Sequence, residues 1–356
     1  MKRFTGLFER VVAWPNLLRA ARNARRGKLH RPAVERFEFR REWELLDLQR
    51  ELGTGTYRPG PFRTHRVTRP KPRLISAAPY RDRVAHHAVM NVLIPILDRQ
   101  FHPDSYACRA GKGTHAASRR LQHLMRRYPF ALRADVRQFF PSIDHDILKA
   151  TFRRLIKDRP LLALLDTVVD GSNPQDEAND YFPGDDLFTP FERRRGLPIG
   201  NLTSQWFANW YLNGFDHAVT SRLGFGGYVR YCDDFVIFGA DRQQLVDLRH
   251  RVDERLADLR LRVHPGKTAV VPTRAGITFV GYRTWAHRRE VRGANVRRFL
   301  KRLRELRKRF DQGALTIQEV RTRVMGWCGH AAQADSLRLF ARLAKRWPFT
   351  ELNGNR

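Results

Sequence analysis

The chain has 356 residues, 42% of them hydrophobic, which is enough to bury a substantial core in one large or two to three ordinary domains. No apolar run approaches the roughly 20 residues a bilayer span needs, the N-terminus lacks an apolar signal core, and Cys108, Cys232 and Cys328 are too few and too scattered for a disulfide framework or a zinc site. A cytoplasmic protein without a membrane partner is therefore expected, and its formal charge of +31, from 67 Lys and Arg against 36 Asp and Glu, calls for a polyanion: nucleic acid first, anionic membrane or ribosome-like packing as alternatives.

Residues 1–52 read as helical. Phe8, Val11, Val12, Leu17 and Leu18 recur near helical spacing, Pro15 suits a first helical turn, and Trp43, Leu46 and Leu52 suggest a further helix. Twelve Lys or Arg against three Glu over residues 1–41 favour phosphate contact over a merely solvated face. Breakers from Gly53 to Pro61 introduce short strands at 62–69 and 73–77, followed by an apolar helix from about Pro79 to Leu97. Arg73, Arg81 and Arg83 are placed to hold a triphosphate or to make surface salt bridges.

The run from Ser105 to Thr114 sets Gly111 and Gly113 around Lys112, a weak phosphate-cradle signal without P-loop spacing. Residues 114–127 read as a helix with Arg119, Arg120, Arg126 and Arg127 exposed. Phe130 to Asp135 alternates as a strand ending on an acid, and Asp144 is a good N-cap for a helix carrying Leu148, Phe152 and Leu155. Between Asp170 and Pro190 the composition inverts to six acids and no Lys or Arg, which reads as an exposed insertion loop able to dock on the chain's own basic surface. Its Asp185-Asp186 pair lacks flanking strands. A Gly/Pro turn over 196–200 then opens a helix running to about Phe215.

Tyr228 to Phe238 places Asp233 and Asp234 between two runs of aromatic and β-branched residues, the pattern of a hairpin with acids in its turn. Two adjacent carboxylates there suit either Mg²⁺, which takes carboxylates plus substrate phosphates, or a plain Asp-rich turn. Leu245, Leu248, Val252, Leu256 and Leu259 predict a helix. Strands are expected at 261–264, 267–272 and 277–282. Residues 286–310 hold eleven Lys or Arg against two Glu on a helical pattern, and Trp327, Phe340 and Trp347 are expected core anchors of a helical tail.

Asp135, Asp233 and Asp234 in a basic chain fit phosphoryl transfer on nucleic acid, where two metal ions about 4 Å apart need bridging carboxylates. The ordered motifs resemble those of reverse transcriptases: Lys71-Pro72-Arg73 through Val84, Ser105 to Gly113, Asp135 with Phe139-Phe140, Tyr231-Cys232-Asp233-Asp234, His264 to Thr268 and Phe279 to Tyr282. The resemblance implies an α+β right-hand polymerase with a palm of antiparallel sheet and helices, fingers and a helical thumb. Its implied divisions are a basic helical N-terminal extension at 1–61, fingers with the start of the palm at 62–130, palm at 131–285 with the acidic insertion at 170–190, and a basic helical thumb at 286–356.

It further implies that Asp135 and Asp233 ligate two Mg²⁺, or Mn²⁺ in their place, with Asp234 a weaker ligand and the Val136 carbonyl completing a shell. Phe140 would gate against a 2′-hydroxyl, and Lys267 would protonate the departing pyrophosphate. Arg73, Ile199, Gly200 and Gln205 would meet the incoming dNTP, and Arg109, Lys112, Arg297, Arg298, Lys301 and Arg302 would meet the template RNA or the RNA/DNA duplex. Leu197 to Gln205 is similar to the block of diversity-generating retroelement enzymes, which copy RNA with errors at adenines and work with a small accessory protein. Retron, group II intron-like and phage-defence enzymes are the alternatives within the class, and a non-catalytic RNA-binding protein on the same fold is the alternative outside it.

Overall fold

The computed structural model describes residues 3–68, 72–173 and 180–346. Four helices open the chain: α1 (Phe8–Val12), α2 (Trp14–Arg25), α3 (Pro32–Phe39) and α4 (Arg41–Thr54). Pro15 and Pro32 sit in first turns, where a missing N–H costs nothing. The buried stripe of α2 holds Leu17 with Ala20, Ala21 and Ala24, the alanines small enough to let it lie close along α5 (Tyr80–Gln100), while Arg19, Arg22 and Arg26 face outward. The helix suggested by Trp43, Leu46 and Leu52 is present as α4, but of these three only Leu52 is buried: Trp43 is 68% and Leu46 49% exposed, and the inward stripe is Leu45, Leu48 and Leu52. Both triplets have helical spacing, and only the packing partner decides which one turns inward.

β1 (Arg63–Val67) and β2 (Arg73–Ala77) form an antiparallel hairpin, and the expected strand end Arg69 and motif residue Lys71 lie outside the described residues. After α5 and α6 (Thr114–Met125), β3 (Phe130–Asp135) becomes the central strand of the main sheet. The short helix α7 (Phe139–Ser142) leads to α8 (His145–Leu155), which Asp144 caps by accepting from the Ile147 N–H as expected; α9 (Arg159–Asp170), α10 (Thr189–Glu192), α11 (Leu202–Tyr211) and α12 (Asn213–His217) follow. β4 (Gly227–Tyr231), β5 (Asp234–Gly239), α13 (Arg242–Ala257) and β6 (Ala269–Pro272) complete this part, giving an antiparallel sheet in the order β4-β5-β3-β6.

The period-2 alternation of these strands divides the core. Leu132, Ala134, Phe235 and Ile237 face a large cluster shared with α5, α8, α11 and α13, whereas Ala131, Val229, Val236 and Phe238 face α6 and the hairpin of β7 (Ile277–Phe279) and β8 (Tyr282–Thr284). The expected strand at 261–264 reduces to a single bridge between Val263 and Val136, and Lys267 lies in a 3-10 turn ahead of β6. An unexpected β9 (Arg289–Val291) extends the small sheet to β7-β8-β9, so helix resumes only at α14 (Gly293–Asp311), followed by α15 (Ile317–Ala331) and α16 (Leu337–Arg346). Phe299 of α14 stacks on Trp327 with centroids 3.8 Å apart, and Phe340 meets the same indole edge-on. Trp347 lies outside the described residues.

The described part of the acidic stretch lies on the chain's own cations. Asp185 pairs with Arg193, Asp180 approaches Arg137 at 3.4 Å, and the Phe182 ring carries the guanidinium of Arg262 at 4.9 Å. Among the described residues no helix is long and apolar enough to cross a membrane.

Candidate active site

Antiparallel pairing brings the three acids together. Tyr231 pairs with Asp234 across a two-residue turn, Cys232-Asp233, whose left-handed Cys232 (φ +58°) lets the strand reverse. On the other side of β5, Asp135 is the Cα partner of Asp234. The backbone fixes this junction, because the Val136 N–H donates to the Asp233 carbonyl at 3.0 Å and the His264 N–H donates to the Asp135 carbonyl at 2.7 Å.

Crowding three carboxyls, Asp135 buried and Asp233 and Asp234 half-buried, at one junction is electrostatically unfavourable. Burial and then the Asp135 charge push the Asp233 carboxyl up from its ordinary value, and burial, Asp233 and Asp135 push Asp234 up to about 7. Lys267 partly offsets the clash with an ion pair to Asp135 Oδ1, while Arg73 acts on Asp233 and Arg133 on Asp234 through space. Lys267 is thereby placed beside the acids by the turn that precedes β6.

The turn rests on a buried ion pair that the residue spacing did not reveal. The Arg230 guanidinium, wholly buried, donates to Asp216 Oδ1 at 2.6 Å and Oδ2 at 2.5 Å, to Asn209 Oδ1 at 3.1 Å and to the Cys232 carbonyl at 2.9 Å. Tyr228 Oη donates to the same Asp216 at 2.6 Å. An arginine between Val229 and Tyr231 in an apolar strand was the available signal, since a cation there must have a buried acid.

A second wall forms from distant segments. The Ser76 N–H of β2 donates to the Ile199 carbonyl at 2.9 Å, the Asn201 amide brackets the backbone of Ser76 and Ala78, and the Leu197 N–H donates to the Phe140 carbonyl at 2.9 Å. Gly200 has φ +117°, and a Cβ there would meet Ile75 Cγ2 at 3.3 Å, so glycine is required. Phe140 and Ile199 are half-buried on this wall, and Gln205 is exposed in the first turn of α11.

Other expected contacts are corrected. Arg109 is consumed internally, donating to Asp98 Oδ1 at 2.6 Å and to the carbonyls of His102, Ser105 and Asp98. Lys112 donates to the Pro103 carbonyl at 2.7 Å and lies over the Tyr106 ring, so both residues brace the loop instead of facing a ligand. Arg120 is held by Asp104, Arg81 by Glu51, and Arg83 by the Ala78 carbonyl. Arg297, Arg298, Lys301 and Arg302 are all exposed on the outer face of α14. Asp185 and Asp186 serve local bonds to Arg193 and to the Phe188–Thr189 backbone.

The donor set suits a hard divalent cation. Among the described residues no group of three or more His, Cys, Asp or Glu is already arranged as a metal cage, but burial and mutual repulsion disfavour the anions of Asp233 and Asp234, a clash that a divalent cation bound between the carboxylates would relieve. Reverse transcriptase domains generally use divalent metal ions.

The reverse transcriptase (RNA-dependent DNA polymerase) family matches residues 65–284. Protein YkfC of Escherichia coli is 27% identical over 77% of this chain and 81% of its own length. Nuclear intron maturase 1, mitochondrial, of Arabidopsis thaliana is 25% identical over 25% of this chain. A telomerase of Candida albicans, solved in complex with a fragment of telomeric RNA, aligns with TM-score 0.47 and 16% identity over 66% of this chain. The chain spans only 12% of the maturase and 46% of the telomerase chain. With the family match covering most of its length and the three strand-end acids inside that match, the chain belongs to the reverse transcriptases, RNA-directed DNA polymerases with a right-hand fold of mixed helix and antiparallel sheet.

Proposed function

We propose that the chain synthesises DNA on an RNA template within a retroelement, with its reacting centre at Asp135, Asp233 and Asp234. The carrying observation is the register that sets Asp135 opposite Asp234 while tying Val136 to the Asp233 carbonyl. In this reading Asp135 and Asp233 hold two Mg²⁺, with Asp234 and the Val136 carbonyl in support. Bound there, the ions supply charge stabilisation to the attacking 3′-hydroxyl and the departing pyrophosphate. Arg73 meets the triphosphate, Phe140 closes the space of a 2′-hydroxyl, and Lys267 delivers a proton to the leaving group. Residues 1–61 and the helices after 286 act as basic flanks around fingers and palm, with Arg297, Arg298, Lys301 and Arg302 on the duplex. Primer extension on an RNA template with Mg²⁺ tests this: incorporation is expected, and RNA binding without incorporation would favour a non-catalytic RNA-binding protein.

The turn at 197–205 supports the diversity-generating type, with its small accessory protein. Ile199 offers no hydrogen bond to the nucleotide or its template partner, so geometric checking loosens. Ile199→Gln is expected to lower misincorporation opposite template adenine about tenfold, a barrier difference near 1.4 kcal/mol; an unchanged error spectrum in sequenced products would sink this account. The maturase likeness favours, as second reading, a group II intron-type enzyme.

The raised Asp234 carboxyl adds a metal signature. Its folded pKa near 7 lies above the unfolded value near 3.8, so the folded state holds the proton more tightly and loses stability as pH rises from about 4 through 7. A divalent ion binds only the anions, so Mg²⁺ is expected to raise the melting temperature by several degrees at pH 8 and little at pH 5. An equal Mg²⁺ effect at both pH values would contradict this.

A further inference from the structure

The outer face of α3 and α4 leaves three large apolar side chains in the open: Phe39 is 90%, Trp43 68% and Leu46 49% exposed. Trp43 and Leu46, three positions apart, share one stripe of α4, and Phe39 closes α3 just before the break at Arg40 between the two helices. Beside them lies an open hollow of about 730 Å³ that has Phe37, Phe39, Pro79 and Tyr80 in its lining. Arg40 and Glu44, on either side of Trp43 in the sequence, belong to the same lining, so Trp43 stands at its edge. Single exposed apolar residues are ordinary, but a group of them rimmed by charge marks a place of association.

Charge identifies the occupant. Residues 35–51 hold six acids against four Arg in a chain of formal charge +31, so a nucleic-acid backbone has no reason to seek this face. Internal pairing consumes part of these charges: Arg81 reaches Glu44 and Glu51, Arg25 and Arg41 reach Glu38, and Arg50 reaches Asp47. Glu35, Arg36, Arg40 and Glu42 are exposed and make no ion pair with a described residue. Two acids and two bases around an apolar centre are complementary to a copy of themselves. We propose that this face binds a second copy of the chain in a two-fold dimer, each Trp43 seated over the hollow of the other copy and each Glu42 facing the other copy's Arg40. Elsewhere two such basic chains repel, and with screening over about 10 Å a locally balanced face is where they can approach. Taking about 150–250 Å² for a buried aromatic side chain, the three apolar residues offer about 400 Å² per copy. That is about half of the ~800 Å² a standard interface draws from each partner. The hollow and the charged rim supply the remainder, which places the dimer in the micromolar range.

The test follows the oligomeric state of the full chain, treated with nuclease and freed of RNA, by sedimentation velocity over about 1–100 µM, a range that brackets a micromolar dissociation constant. Wild type is expected to pass from monomer to dimer. Trp43→Ser should weaken association about a hundredfold, tenfold for each of the two indoles buried, and Phe39→Ser about tenfold. Both side chains are exposed in the single chain, so the melting temperature of the dilute protein should hold. Glu42→Arg and Arg40→Glu should each weaken association about tenfold, and an equimolar mixture of these two variants should dimerise as well as wild type, because the exchange restores both cross pairs. A wild type that stays monomeric throughout would overturn the proposal, as would a dimer indifferent to Trp43 and Phe39. Failure of the mixture to recover would overturn the two-fold arrangement. Weaker binding of a single-stranded RNA oligonucleotide by Trp43→Ser, with self-association unchanged, would also overturn it and give the face to nucleic acid.

Discussion

Asp233→Asn is expected to abolish cDNA synthesis, by about a thousandfold or more in single-turnover primer extension, as loss of an essential catalytic group does. RNA affinity should stay within about threefold, because in the proposed function binding is carried by cations at phosphates on the flanking helices, such as the exposed row on α14. Asparagine preserves the side-chain shape, and the bond from the Val136 N–H goes to the main-chain carbonyl of residue 233, which the substitution leaves in place. The variant should also melt higher than wild type in the absence of metal. Burial and Asp135 both disfavour the Asp233 anion, so a neutral isostere relieves a clash that the wild type retains for function. Parallel loss of RNA binding, or retained synthesis, would contradict the division between binding and chemistry.

The second large effect concerns stability. Asp216→Ala should cost about 3–5 kcal/mol, because it strips the partner from a wholly buried guanidinium and leaves its charge uncompensated. Urea unfolding would show the loss as a lower midpoint at unchanged slope; a change below about 1 kcal/mol would mean that Asn209 and the Cys232 carbonyl suffice. Replacing both partners with apolar residues, Asp216→Leu with Arg230→Met, should recover most of the stability. Synthesis should stay impaired in that double variant, since the Cys232 carbonyl loses the donor that holds the acid-bearing turn. Stability and activity would thus part company, separating the positioning role of Arg230 from its packing role.

Features governed by near neighbours were legible in the sequence. The hairpin around Asp233, the cap at Asp144 and the strand ending at Asp135 all depend on residues within a few positions, and the structure has each of them. What depended on distant partners was not legible. Whether Trp43 or Leu45 turns inward is settled by the helices packed on α4. Arg109 and Lys112 looked like ligand contacts because charge and glycine neighbours are visible in a sequence, whereas the acceptors that occupy them, Asp98 and the Pro103 carbonyl, are fixed only by folding. The Asp216–Arg230 pair stayed hidden for the same reason. β9 is too short to show a period.

The placement of β3 between β5 and β6 has a consequence for how the protein comes into being. Asp135 meets Lys267 across 132 positions of chain, and pairings so remote must wait for the intervening chain and for the entropy of closing it. The helices of the first hundred residues pack largely on one another, α2 along α5, and can form while later residues are still being made. The basic helices of the N-terminal part therefore precede the junction at which Asp135, Asp233 and Asp234 meet. A nascent chain passes through a stage in which its first, basic helices are folded while the three acids are still far apart.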